Sequence, residues 1–409
     1  MSAVRARILI LGGGFAGLRA LYRLRALRER ADLTLVDPRT TSLARPSLPE
    51  VALAGKSVEH SRFPLAAAVR RSGASFVNHG VDRVEASQHR VRLDNGDVLP
   101  YDFLFLALGA HKDYDAIPGF RSFGYSVCDD TEAPRLAAAL ETFGGGPIVI
   151  GSAKSTWGSR VAVPELAAPC EGPVAEIMFM LDHDLRRRGL RERGTIDVFS
   201  PGRIFFEDVG PTVHADVEPL MTRGGIRVTT NKVLSHLGEG EVAFEDGTSW
   251  ESALSIVLPP YTGNPVVKRS EGLGDECGFV PTDTTMRHLD VERVYAAGDG
   301  TSLAMPKLGH IAVIQADVAA AALARDLTGK GTIPPLHPEV FCIVNRGGEE
   351  ATLIYSDALF GGPLDVTING PAAHLMKWGF DEYYFHSAGH LPPDMATSGL
   401  ELLLKPRGD

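Results

Sequence analysis

The chain has 409 residues, with 41 basic against 51 acidic side chains and a net charge of −10. That balance, with no basic run interleaved with aromatics, argues against a nucleic-acid partner, because phosphate binding needs a concentrated positive surface. With 44% hydrophobic and 22% charged residues, the chain can bury two or three cores and carries no disordered signature.

Residues 7–11 form an apolar strand, Gly12-Gly13-Gly14-Phe15-Ala16-Gly17 turns tightly, and residues 18–28 repeat at helical spacing before a second strand over 33–37. This is a dinucleotide fingerprint in full context. The glycines let the backbone approach a pyrophosphate at a helix N-terminus, with Phe15 and Ala16 at the helix start. Asp37 closes the second strand, where its carboxylate accepts hydrogen bonds from a ribose hydroxyl. The first apolar stretch is too short for a signal peptide or a membrane span, and no other segment reaches spanning length.

The first unit, residues 1–115, ends in a buried strand running into a glycine turn at Gly109, which we expect to line the cofactor. Residues 116–268 repeat the plan, with helices over 131–143 and 173–188 and strands over 147–150 and 195–200. Residues 269–332 return to complete the first unit: a strand ends at Gly298-Asp299, and a helix follows over 311–327. Residues 333–409 hold strands over 340–345 and 351–355, joined around Gly347-Gly348, and a last helix over 372–386. The expected fold class is α/β, two Rossmann-like dinucleotide-binding domains with a small C-terminal hairpin and an amphipathic helix.

The second domain lacks a full nucleotide fingerprint. After the strand over 148–150 the chain reads Gly151-Ser152-Ala153-Lys154-Ser155-Thr156, with two of three glycines missing, and Ser200 stands where a ribose-binding acid belongs. The four cysteines, Cys128, Cys170, Cys277 and Cys342, are widely spaced and include no Cys-x-x-Cys, so no metal site is expected. In a chain without a leader they point to the cytosol, where a cysteine pair is more often catalytic than structural.

These segments together resemble the sulfide:quinone oxidoreductases, flavoproteins with two dinucleotide-binding domains. Ala44 to Ala52, which includes Pro46, is similar to the family's flavin-side loop. Ser126-Val127-Cys128-Asp129-Asp130 is similar to its flavin-proximal cysteine segment, and Pro169-Cys170-Glu171-Gly172-Pro173-Val174-Ala175-Glu176 to its Cys-x-Gly-Pro-x-x-Glu segment. Phe341-Cys342-Ile343 falls where its second redox cysteine sits. The resemblance implies FAD as cofactor, sulfide as electron donor and a membrane quinone as acceptor. It also implies a Cys170–Cys342 disulfide that a hydrosulfide ion attacks, leaving a persulfide on Cys170 and a thiolate at Cys342 that faces the flavin. Cys128 would contact or tether the flavin, and Cys277 matches nothing.

Cys170 precedes the helix over 173–188, whose positive end is expected to depress its thiol pKa. Glu176, in the first turn of that helix, is the candidate base. Asp299 is expected to hold the ribityl chain, and Lys307 to stabilise the negative charge of reduced flavin. On the last helix Ala372, Leu375, Met376, Gly379, Phe380, Tyr383 and Tyr384 follow helical spacing, and Trp378 and Phe385 widen the stripe. Phe380, Trp378 and Tyr383 are the residues expected at the bilayer interface and the quinone, with Lys377, Asp381 and Glu382 on a polar face. The expected location is therefore cytoplasmic, peripheral on the inner face of the cell membrane, and a homo-oligomer is left open. His214, His236 and His310 are candidates for the histidines some members keep near sulfur. The runner-up activity is that of a type II NADH:quinone oxidoreductase, and a flavin-binding sensor or scaffold is a further alternative.

Overall fold

Alternation of apolar side chains with tight glycine turns makes the N-terminal third a parallel sheet. The computed structural model describes residues 5–161 and 166–391. Ala6–Leu11 lies at the centre of a five-stranded parallel sheet, flanked by Phe103–Leu106 and Val294–Ala296 on one side and by Ala31–Val36 and Ser75–Val77 on the other. Ile8 pairs with both Leu33 and Phe103, so the strand is buried on both faces and its apolar run needs no alternation. Two helices cover one face of this sheet. Phe15–Leu24 and Gly309–Thr328 pack against each other, and both begin at the carboxyl ends of its strands.

A second parallel sheet repeats the plan with Ile148–Ser152 at its centre, between Leu254–Leu258 and Ile196–Phe199. Helix Gly172–Arg187 packs on it, burying Val174, Ile177, Met178 and Leu181. The two sheets meet through a short antiparallel ribbon in which His111–Lys112 pairs with Tyr261–Thr262.

The C-terminal region differs from the expected hairpin. Strands Val340–Gly347 and Glu350–Ser356 are joined by a third, Asp365–Gly370, to form a three-stranded antiparallel sheet. Asp365, Thr367 and Asn369 alternate with Val366 and Ile368, and the two apolar residues pack on the core, so the third strand carries a period-two signal that the expected hairpin left unused. This sheet lies on helix Gly172–Arg187, and the last helix, Pro371–His386, packs on the sheet in turn. No helix among the described residues is long and apolar enough to cross a membrane.

Candidate active site

The glycine fingerprint is built as its spacing requires. Gly12 has φ +105°, and a Cβ there would meet the Ala107 carbonyl oxygen at 2.3 Å. A Cβ on Gly17 would lie 1.8 Å from the Gly12 oxygen, so Gly17 is needed for helix and strand to approach. Gly14 is different: a Cβ there meets nothing within 4 Å, so its lack of a side chain serves the space beside it and not the fold. Gly14 caps Phe15–Leu24 without any side-chain hydrogen bond, and no acid lies in the first turn, which leaves the helix N–H groups for an anion. Asp37, buried at the end of its strand, accepts from the backbone N–H groups of Gly13 (2.7 Å) and Arg39 (2.8 Å).

A second helix start converges on the same place. Cβ atoms on Gly298 and Gly309 would come within 3.3 Å of Ala16 and 3.4 Å of Phe15 respectively, so the strand end at Asp299 and helix Gly309–Thr328 close over the fingerprint. Asp299, Lys307 and Gln315 line a small cavity there. Lys307 is buried, with its ammonium 5.0 Å from the ring centres of both Trp157 and Phe279. Burial pulls its pKa down to about 8, against the field of Asp299 and Asp275. Gly109 has φ +69° and open space beside it, and Asn264 donates from its side-chain amide to the carbonyls of Leu108 and Gly109 at 3.2 Å each. Pro46 is exposed in a single turn over Arg45–Ser47. These residues fit FAD: an open glycine turn, two unpaired helix starts, and a strand-end carboxylate.

In the second domain, strand Ile148–Ser152 does not turn directly into a helix. The described residues of 153–161 and 166–171 form neither helix nor strand, and helix Gly172–Arg187 begins only after them. A Cβ on Gly151 would meet the Phe199 ring at 2.4 Å, so this glycine serves packing rather than a phosphate. Residues 166–171 deliver Cys170 to the helix start, while strand Val340–Gly347 delivers Cys342 to the same point. The Cys342 and Cys170 sulfurs lie 3.2 Å and 3.8 Å from where a Cβ on Gly172 would stand. They are separate thiols, no further apart than those two lengths laid end to end.

The helix dipole does not depress the Cys170 thiol as its position suggested. Burial pushes its pKa well above the ordinary value, Asp208 and Cys342 add to this, and the Gly172 N–H beside it pulls the other way without prevailing. Cys342 is pushed up to about 12, by burial first and then by Glu176, with Lys377 opposing. The desolvation of both sulfurs outweighs a half-charge at one helix end. Cys128 is buried, its pKa raised by burial and drawn down by Lys112.

Two sequence expectations fail at the C-terminal helix. Lys377 does not sit on a polar face: it is buried and ion-paired with Glu176 on helix Gly172–Arg187. Burial works against its ammonium, but Glu176 and Glu50 outweigh it and hold its pKa above the usual lysine value. Glu176 lies in the second turn rather than the first, and its burial drives its pKa up while Lys377 restrains it. Phe380 is not on the outer face either. It stacks on Tyr384 with ring centres 5.8 Å apart, and Tyr384 stacks on Phe15 at 4.9 Å, so a column of rings joins the last helix to the fingerprint. The apolar side chains that do face outward are Leu375, Trp378 and Tyr383, at 62%, 54% and 40% exposure. Lys377 interrupts the stripe because the helix turns a charged residue inward, which no hydrophobic period can reveal.

The histidine candidates are dispersed. His310 pairs with Glu339 at 2.9 Å, His236 is exposed on an antiparallel strand, and His214 is half-buried on the helix Pro211–Gly224. Cys277 is half-buried in a loop, its N–H held by Asp275. Sequence reasoning missed Lys112 and Tyr261. They sit on the inter-sheet ribbon with the Lys112 ammonium 4.7 Å over the Tyr261 ring, among Arg45, Cys128 and Asp299. The position of Lys112 just past the Gly109 turn was the available signal. Sequence reasoning also missed Glu171 and Asp208, two buried carboxylates that share a cavity with Cys170.

The chain is 23% identical to a sulfide-quinone reductase of Aquifex aeolicus over 97% of its length and 95% of that protein's. It is 24% identical to an NADH dehydrogenase-like protein of Mycobacterium tuberculosis, over 72% of each. The solved structure of the Aquifex aeolicus sulfide:quinone oxidoreductase superposes with a TM-score of 0.86 at 21% identity, covering 98% of this chain and 96% of that one. The family model for the pyridine nucleotide-disulphide oxidoreductases matches residues 6–317, which take in both parallel sheets and the glycine turn. The chain therefore belongs to the pyridine nucleotide-disulphide oxidoreductase family and is an FAD-binding oxidoreductase.

Proposed function

We propose that this enzyme oxidises sulfide to sulfane sulfur or polysulfide through Cys170 and Cys342 and passes the electrons through FAD to a membrane quinone. The observation that carries this reading is the approach of the two sulfurs at Gly172, at the start of the helix that follows the incomplete second fingerprint. The near full-length likeness to a sulfide-quinone reductase supports it.

In the oxidised enzyme the two cysteines are joined. A hydrosulfide ion attacks Cys170, the bond to Cys342 breaks, and a persulfide on Cys170 and a thiolate at Cys342 result. Cys342 is a poor leaving group in a buried setting, and the nearby Lys377 ammonium is the group that offsets its charge. FAD, when bound, supplies the two-electron acceptor. Asp299, Gly109 and the fingerprint residues hold it, and Cys128 and Lys112 stand on its sulfur side in this reading. Leu375, Trp378 and Tyr383 present the apolar surface through which the last helix would rest on the inner face of the membrane.

The competing reading is a type II NADH:quinone oxidoreductase, favoured by the likeness to the mycobacterial NADH dehydrogenase-like protein. Anaerobic mixing of the flavin-loaded protein with sulfide and, separately, with NADH distinguishes them. Rapid bleaching of the flavin by sulfide and slow or absent bleaching by NADH is expected. The reverse order would replace this proposal with its competitor.

A further inference from the structure

The wall behind Cys170 is acidic. A cavity beside the sulfur is lined by Cys170, Glu171, Glu207 and Asp208, with Pro169 and Pro306 closing it, and no cation among its described lining residues. Glu171 is almost fully buried: one carboxylate oxygen accepts from the Phe206 N–H at 2.6 Å, and the other, Oε1, has no hydrogen-bond partner. Glu207 is held by the Ala167 N–H at 2.8 Å, whereas Asp208 is buried and faces Cys170 closely enough to act on its thiol. The nearby cation Lys307, one residue past Pro306, keeps its ammonium between Trp157 and Phe279. Lys377 and Glu176 lie toward Cys342. The Ser200 hydroxyl is close enough to Glu171 to stabilise its carboxylate and pull its pKa down.

This arrangement repels an anion at the sulfur it must attack and sets the buried Asp208 carboxylate beside that sulfur to meet a proton donor. We propose that the donor reaches Cys170 as neutral hydrogen sulfide, and that the Asp208 carboxylate takes its proton there, with Glu171 as its neighbour in the cavity wall. The step balances. One S–H bond of hydrogen sulfide breaks and its proton passes to a carboxylate. The resulting hydrosulfide forms a sulfur–sulfur bond with Cys170 as the Cys170–Cys342 bond breaks, leaving a protonated carboxyl, a Cys170 persulfide and a Cys342 thiolate. Burial raises Glu171 to about 8 against the opposing Ser200 hydroxyl and Phe206 N–H, with Asp208 and Glu207 adding to the rise, and burial raises Asp208 to about 6. Near neutral pH Glu171 therefore holds its own proton, and Asp208 is the ionised group of the two that accepts one. The inference rests on the proposed sulfide oxidation.

The test is stopped-flow reduction of the FAD-loaded full chain by subsaturating sulfide across a pH series. Above the first pKa of hydrogen sulfide, the rate per total sulfide is expected to fall by about tenfold per pH unit, following the neutral species. Glu171→Gln with Asp208→Asn is expected to lower the rate by about 100-fold near neutral pH. It should also reverse the alkaline limb, because hydrosulfide is then no longer repelled. A role confined to packing would leave the sign of that limb unchanged. A wild-type rate that rises with pH through the ionisation of hydrogen sulfide would overturn this inference while leaving sulfide oxidation standing. No bleaching by sulfide at any pH would remove sulfide oxidation itself and this inference with it. Should the double variant fail to fold, the wild-type limb alone decides.

Discussion

Replacing Lys377 with methionine removes the cation from an ion pair whose two side chains are 6% and 7% exposed. Glu176 is then a buried carboxylate facing Glu50 and Asp381 with no counterion in its own layer. Breaking a buried pair on one side costs about 3 to 5 kcal/mol, because the remaining charge cannot recover its water. Methionine keeps most of the lysine stem's packing, so the loss is electrostatic. Adding Glu176→Gln neutralises the stranded charge and should restore at least about 2 kcal/mol, a coupling far outside that of distant sites. The pH dependence has a defined sign. Burial raises the Glu176 pKa to about 7 even with Lys377 present, and loss of the cation raises it further. A carboxyl raised in the folded state favours folding fully below its unfolded pKa and loses that contribution as pH rises through the folded value. Lys377→Met should therefore be mildest near about pH 5 and most damaging above about pH 7. Urea unfolding of the FAD-loaded variants, followed by tryptophan and flavin fluorescence at both pH values, measures this. A loss under about 1 kcal/mol at alkaline pH, or a double variant no more stable than the single, would refute a desolvated pair.

Gly14→Val should give a folded protein that neither retains nor rebinds FAD, read from flavin absorbance. Gly17→Val should instead fail to fold, because its side chain would meet the Gly12 carbonyl. Cys170→Ser and Cys342→Ser should each remove nearly all sulfide-dependent flavin bleaching with FAD still bound; bleaching at the wild-type rate in either variant would discard the sulfur pair. Polar replacement of Leu375, Trp378 and Tyr383 together should leave the fold intact, since all three are exposed. It should release the protein from vesicles and slow quinone reoxidation, and a variant that stays on vesicles and reoxidises normally would place the acceptor elsewhere.

The fingerprint was legible because every part of it is local. Strand, glycine turn, helix and Asp37 are fixed by a few consecutive φ values and by apolar spacing, so Gly12, Gly17 and Asp37 lie where their order implied. The two cysteines were legible only by resemblance, since 172 residues separate Cys170 from Cys342 and no spacing rule brings them to Gly172. The last helix was half legible. Its bounds follow from the apolar period, but its orientation does not, because period alone cannot distinguish a stripe that faces a core from one that faces outward.

By itself the sequence determined the two parallel sheets, the dinucleotide turn and the absence of a second complete one, since these depend on short-range backbone conformation and on which residues lack a side chain. Tertiary structure alone decided the state of the charges. Stacking the terminal sheet and helix over Gly172–Arg187 buries Lys377 against Glu176, 201 residues away, and the turn after Ile196–Phe199 brings Asp208 to Glu171 and Cys170. Those pKa values are set by desolvation and by neighbours distant in the chain, and that is why the thiol expected to be acidic at a helix start is held protonated.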